Sequence, residues 1–155
     1  MPDTTRFISL IYVSRSVIPR SEHDKELEAI VSGSITRNIG LAVRGVLIFT
    51  EGHFAQLLEG PEAGVDELMA SIERDRRHEQ VTVIERKPID GYRFPDWGLA
   101  YWGNAAYVNG KLASILDERR NVILTQETRQ IFELMRELAA ASKAEGKPSG
   151  ARSKG

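Results

Sequence analysis

The run Val46-Leu47-Ile48-Phe49 limits the fold more than any other stretch of the chain. Four apolar residues in a row, set between Gly45 and Thr50, read as a strand. A strand with one wet face alternates apolar and polar residues; this one does not, so both its faces need cover. The chain must therefore supply packing for two sides of a sheet from 155 residues. That length suits one domain with a substantial core.

The remaining segments provide the parts. Residues 7–13, FISLIYV, are β-branched and aromatic and form the first strand. Leu27, Ile30, Val31 and Ser34 recur at helical spacing, which places the first helix at about residues 22–38. Ser21 with Asp24 three positions on reads as its start and Gly40 as its close. Strand two covers 43–50, and Glu51-Gly52 turns it into strand three at 54–58. Gly60-Pro61 ends that strand, and Pro61 opens a second helix whose stripe is Val65, Leu68, Met69 and Ile72. Strands four and five follow at 81–86 and 99–102.

This order predicts an α+β fold, a ferredoxin-like βαββαββ sheet with two helices on one face. C-terminal helices cover the other face: a short one marked by Leu112, Ile115 and Leu116, and a longer one marked by Ile131, Leu134, Met135 and Leu138. The expected organisation is a folded domain over 1–103, a helical cap over 104–141 and a disordered Lys-, Gly- and Ser-rich tail over 142–155.

Composition removes several function classes. There is no cysteine, so disulfides, thiolate metal sites and cysteine nucleophiles are absent. A formal net charge of -1 argues against nucleic acid as a partner. No apolar stretch is long enough for a bilayer, and the polar start is no signal peptide, so the expected location is cytoplasmic, away from membranes. The three histidines, His23, His53 and His78, are too scattered for a metal site. No phosphate-binding glycine loop and no catalytic triad or carboxylate pair stands out, so no enzyme activity is expected.

Four polar residues fall at inward positions. Tyr12 follows Ile8 and Leu10 on one face of strand one, and Gln56 lies between Phe54 and Leu58 on strand three. Ser34 and Asn38 extend the stripe begun by Leu27 and Val31. A buried amide or hydroxyl without a partner costs roughly 1–3 kcal/mol. Either these groups bond one another, the backbone or water, or they line a ligand pocket. The charged run Glu73 to His78 allows two readings as well: a solvated helix end, or a cationic lip for the ribityl or phosphate part of a nucleotide.

Five segments taken together resemble the BLUF family, blue-light sensors that use FAD. They are LIYVSRS from Leu10, SITRNIGLAVRGVLIF from Ser34, GHFAQLLEGPEAGVDELMASI from Gly52, RDRRHEQV from Arg74 and RFPDWGLAY from Arg93. The resemblance runs over about residues 6–102. It implies that Tyr12 is the photochemical electron and proton donor and that Gln56 is the switch amide between that phenol and the flavin. It implies that Asn38 bonds the ring edge with Ser34 near it, and that Arg77 and His78 contact the cofactor beyond the ring. Trp97 and Leu99 would carry the signal through strand five. The implied cofactor is FAD, and FMN or riboflavin would also suit a ring-binding pocket. The implied output is through an unidentified downstream protein, and the helices outside the sheet suggest a homo-oligomer.

Two positions depart from the family pattern: Arg44 replaces a threonine and Leu99 stands where many members carry methionine. They support an alternative, a flavin-free or photoinactive interaction module on the same fold. A small-molecule enzyme on a ferredoxin-like fold is a third reading, without a catalytic constellation to support it.

Overall fold

A computed structural model describes residues 6–50, 52–103, 110, 112–113, 129–130 and 132–137, with 98–103 described through the backbone alone. Strands β1 (Phe7–Ser16), β2 (Arg44–Thr50), β3 (His53–Pro61), β4 (His78–Ile89) and β5 (Trp97–Gly103) alternate with helices α1 (His23–Gly40) and α2 (Glu62–Arg74) in the expected order. They form one sheet in the order β4-β1-β3-β2-β5. The pairs β1–β3, β1–β4 and β2–β3 are antiparallel, and β5 pairs parallel to β2. The α+β, ferredoxin-like reading therefore holds, with β5 added beside β2.

Strand alternation sorts the core into two clusters. On the front face Ile8, Leu10 and Tyr12 of β1, Leu47 and Phe49 of β2 and Phe54 and Leu58 of β3 pack under Leu27 of α1 and Val65, Leu68, Met69 and Ile72 of α2. On the back face Ile11, Val13, Val46, Ile48, Ala55 and Leu57 pack with Phe94, Leu112 and Met135. Both sides of β2 are buried, as its unbroken apolar run requires. Leu112 and Met135 come from the two segments expected to cap the back face, and both are fully buried. The helical positions at 115, 116, 131 and 138 and the expected tail from 142 lie outside the described residues.

The ends of α1 differ from expectation. A 3-10 turn, Arg20–Glu22, leads into the helix, and its N-cap is Glu22 with no side-chain capping bond, so Ser21 does not cap it. Gly40 is still helical. The left-handed residue that stops the helix is Ala42, with φ 58°. The Asn38 carbonyl collects the N–H groups of Leu41 and Val43 at 3.2 and 2.9 Å, which turns the chain into β2.

Gly45 is required where β2 passes β3. Its φ is +144°, and a Cβ there would lie 1.9 Å from the Leu57 carbonyl oxygen. On its other side Gly45 stands opposite Trp97 of β5.

Candidate functional site

β1 and β3 pair so that Tyr12 stands opposite Gln56, and β3 and β2 pair so that Gln56 stands opposite Leu47. The two polar side chains therefore share the front face, with 2% and 6% of their surface exposed. Gln56 Nε2 donates to the Tyr12 hydroxyl at 2.7 Å. Trp97 enters from β5 and donates its indole N–H to Gln56 Oε1 at 2.8 Å. Asn38, on the last turn of α1, completes the group. With its amide oxygen toward Trp97 it accepts from Trp97 Nε1 at 3.1 Å and donates to the Ser34 carbonyl at 3.2 Å.

The indole fixes the Gln56 amide. Trp97 can only donate, so the oxygen of Gln56 must face it and the nitrogen must face Tyr12. Tyr12 accepts in this arrangement, and its own hydroxyl hydrogen has no acceptor among the described residues. Three of the four inward polar groups thus find partners in one another and in Trp97, while one buried donor is left over.

Burial pushes the Tyr12 phenol above its ordinary value; the Gln56 bond opposes this and the charge of Asp75 adds to it. The phenol is therefore neutral through the physiological range.

A cleft opens beside this group between α1 and α2. It is lined by Ile30, Ser34, Arg37, Phe54, Arg77 and His78, among others. His78 packs edge-on against Tyr12 and Phe54, with ring centres 6.1 and 5.6 Å apart. Its Nε2 donates to the Ile72 carbonyl and its Nδ1 pairs with the Ser14 hydroxyl, each at 2.7 Å. Arg77 is turned toward Asp75, donating from Nε at 2.9 Å and Nη2 at 2.6 Å, with Glu26 3.7 Å away. The hydrogen bonds it donates to Asp75 hold the guanidinium above its ordinary value. Burial acts to raise the Asp75 carboxyl, but Arg77 outweighs it and brings the group below the usual carboxylate range.

Sequence reasoning therefore named Tyr12, Gln56, Asn38 and Trp97, which meet in one bonded group, and Ser34, Arg77 and His78, which line the cleft beside it. It missed Arg37, which shares the cleft face of α1 with Ser34 three residues earlier, and Asp75, whose pairing with Arg77 was concealed within a charged run. Leu99 pairs through its backbone with Leu47, and its side chain lies outside the described residues. Arg44 is no part of the cleft: its guanidinium carbon stacks 3.7 Å from the centre of the Tyr92 ring, and its Nη1 donates to the Phe94 carbonyl at 3.4 Å. Among the described residues, no group of three or more acidic or histidine side chains could hold a metal, and no helix is long and apolar enough to cross a membrane.

The residues present suit a flavin. The apolar wall of Ile30 and Phe54 offers a surface for a ring system, the spare Tyr12 proton and the Asn38 amide offer edge contacts, and the arginines offer positive charge at the lip.

Residues 7–100 match the BLUF family, described as sensors of blue-light using FAD. The photoactivated adenylate cyclase subunit beta of Euglena longa is 35% identical over 92 residues, which are 59% of this chain and 10% of that protein. The blue light- and temperature-regulated antirepressor BluF of Escherichia coli (strain K12) is 42% identical over 76 residues, 49% of this chain and 18% of that protein. This chain thus spans a small fraction of the length of these relatives. Among solved structures, the dark state of the BLUF protein BlrB superposes with a TM-score of 0.65 at 27% identity, covering 90% of this chain and 99% of that one. The photo-activated state of BlsA, at 22% identity, shares the fold with a TM-score of 0.65 over 86% of this chain and 94% of that one. The chain belongs to the BLUF family, and its folded unit is a flavin-binding blue-light sensor domain.

Proposed function

We propose that Tyr12 is the electron and proton donor of this sensor, that Gln56 is its switch, and that FAD lies in the α1–α2 cleft with Asn38 and Ser34 along the ring edge. The reading is supported above all by the spare proton of Tyr12: the phenol is buried, neutral and bonded to a single amide, beside a cleft of the right lining.

A bound flavin supplies blue-light absorption and, once excited, an acceptor for one electron and one proton. Tyr12 can release both without leaving a standing charge in the dark site. Gln56 carries an acceptor and donors on one group, so reorienting the amide exchanges what it presents to Tyr12, to Trp97 and to the ring edge. That exchange breaks the bond from Trp97, and Asn38 Oδ1, at 3.1 Å, is placed to keep the indole N–H paired. Arg77 and His78 would shape the lip toward the ribityl chain. Arg37, which has no ion pair among the described residues, would meet the diphosphate.

The same reading makes the chain a receptor without catalysis of its own. It is cytoplasmic and homo-oligomeric, with a sensor over 1–103, a helical cap over 104–141 and output to a separate protein partner. The burial of Leu112 and Met135 against the back face supports the cap. The position of Arg44, outside the cleft and against Tyr92, removes one of the two reasons for a flavin-free module.

The deciding experiment is the absorption spectrum of the purified chain in darkness and after blue light. A yellow protein whose flavin band shifts to the red and recovers in the dark supports the proposal; a chain that stays colourless when FAD, FMN and riboflavin are offered rejects it.

A further inference from the structure

Glu59 has no solvent-exposed surface, although it carries a carboxylate. It follows Gln56 by three positions on β3, so its side chain belongs to the back face rather than the front. A buried carboxylate is costly unless several donors meet it. Here Oε1 accepts the backbone N–H groups of Arg93 at 2.5 Å and Phe94 at 2.7 Å. Oε2 accepts Arg93 Nε at 3.1 Å, and Arg93 Nη2 donates to the Ser9 hydroxyl at 2.6 Å.

These bonds act on the segment that delivers Trp97. Glu59 holds Arg93 and Phe94, the Gly45 N–H holds the Asp96 carbonyl at 3.0 Å, and the next residue is Trp97. The same segment touches the C-terminal helix. Phe94 meets Phe132 edge-on with ring centres 6.4 Å apart, and the Arg93 guanidinium carbon lies 4.6 Å from the centre of the Phe132 ring.

We infer that Glu59 is a positioning residue: through Arg93 and Phe94 it sets where the Trp97 indole stands over Gln56, and it ties that setting to the back-face helix that carries Phe132. Pocket and helix lie on opposite sides of the sheet, and this carboxylate joins them through the lead into β5. The inference rests on the photoreceptor reading for its kinetic consequence, though not for its structural one. A carboxylate that merely anchored a loop would affect unfolding, but would leave Trp97 and the photocycle of the folded protein unchanged.

The test uses the full chain with bound flavin and Trp102→Phe, which leaves Trp97 as the single remaining tryptophan of two. Glu59→Gln and Arg93→Gln are compared with this parent by acrylamide quenching of Trp97 in the dark and by dark recovery after blue light. Both variants are expected to raise the quenching constant about two-fold and to change the recovery rate about five-fold, with the double variant no further from the parent than either single one. Should Glu59→Gln fail to fold, Arg93→Gln, at a side chain 30% exposed, decides alone. Folded variants with quenching and recovery equal to the parent would overturn the inference. If the parent shows no light response, the photoreceptor reading fails, and the quenching comparison still judges Glu59.

Discussion

Trp97 Nε1 lies 2.8 Å from Gln56 Oε1, and this bond decides which end of the amide faces Tyr12. An indole has no acceptor, so it imposes an order on the whole group: Trp97 donates to Gln56, Gln56 donates to Tyr12, and the Tyr12 proton is left to point elsewhere.

Replacing Trp97 by Phe removes the donor that holds the amide. Gln56 then loses about 1 kcal/mol of preference for its dark orientation. The dark-recovery rate is expected to change by about five-fold while the protein stays yellow, as read by absorption after a blue flash.

Tyr12→Phe keeps the ring in the core and removes the donor. The flavin should remain bound and the red shift should vanish. The orphaned Gln56 amide should lower stability by roughly 1–2 kcal/mol in urea unfolding. Gln56→Leu should likewise abolish the shifted state; a variant of either kind that still gives the parent shift rejects the assigned role.

The raised phenol of Tyr12 sets an alkaline limit. The folded chain keeps this proton at a pH where the unfolded chain, with a pKa of about 10, has lost it. The resulting stability is complete below about pH 10 and declines as pH rises further. The light-induced shift should therefore stay constant from about pH 6 to about pH 10. Above that the melting temperature should fall, and less steeply in Tyr12→Phe than in the parent.

Two glycines should respond in opposite ways. Gly45→Ala drives a Cβ into the Leu57 carbonyl at a φ of +144°, and should cost more than about 3 kcal/mol or prevent folding. Gly40 is the last residue of α1 and a Cβ there meets nothing within 4 Å, so Gly40→Ala should stabilise by about 0.5–1 kcal/mol. Denaturant midpoints check both.

Much of this was readable in the sequence where a pattern had one physical solution. The unbroken run of β2 demanded two covered faces, and the structure covers both. Tyr12 and Gln56 were out of place on apolar stripes, and they meet because β1 and β3 pair in that register. The ends of α1 were not readable, since Ser21 and Gly40 are suitable cap residues that the backbone does not use, while Ala42 takes the strained position. Nor was Glu59, whose partners Arg93 and Phe94 lie 34 and 35 residues away along the chain. A lone glutamate in a strand gives no sign of its burial until the segment that folds over it is known.

β1 is bonded along both sides, to β3 and to β4, whereas β5 is bonded to β2 alone among the described residues. Tyr12 thus stands on an interior strand of the sheet and Trp97 on a rim. Of the two ends of the hydrogen-bonded row, the phenol lies within the sheet and the indole on its border strand. Under the role proposed for Gln56, its reorientation would pass to Trp97 at the border of the sheet, where another surface can meet it.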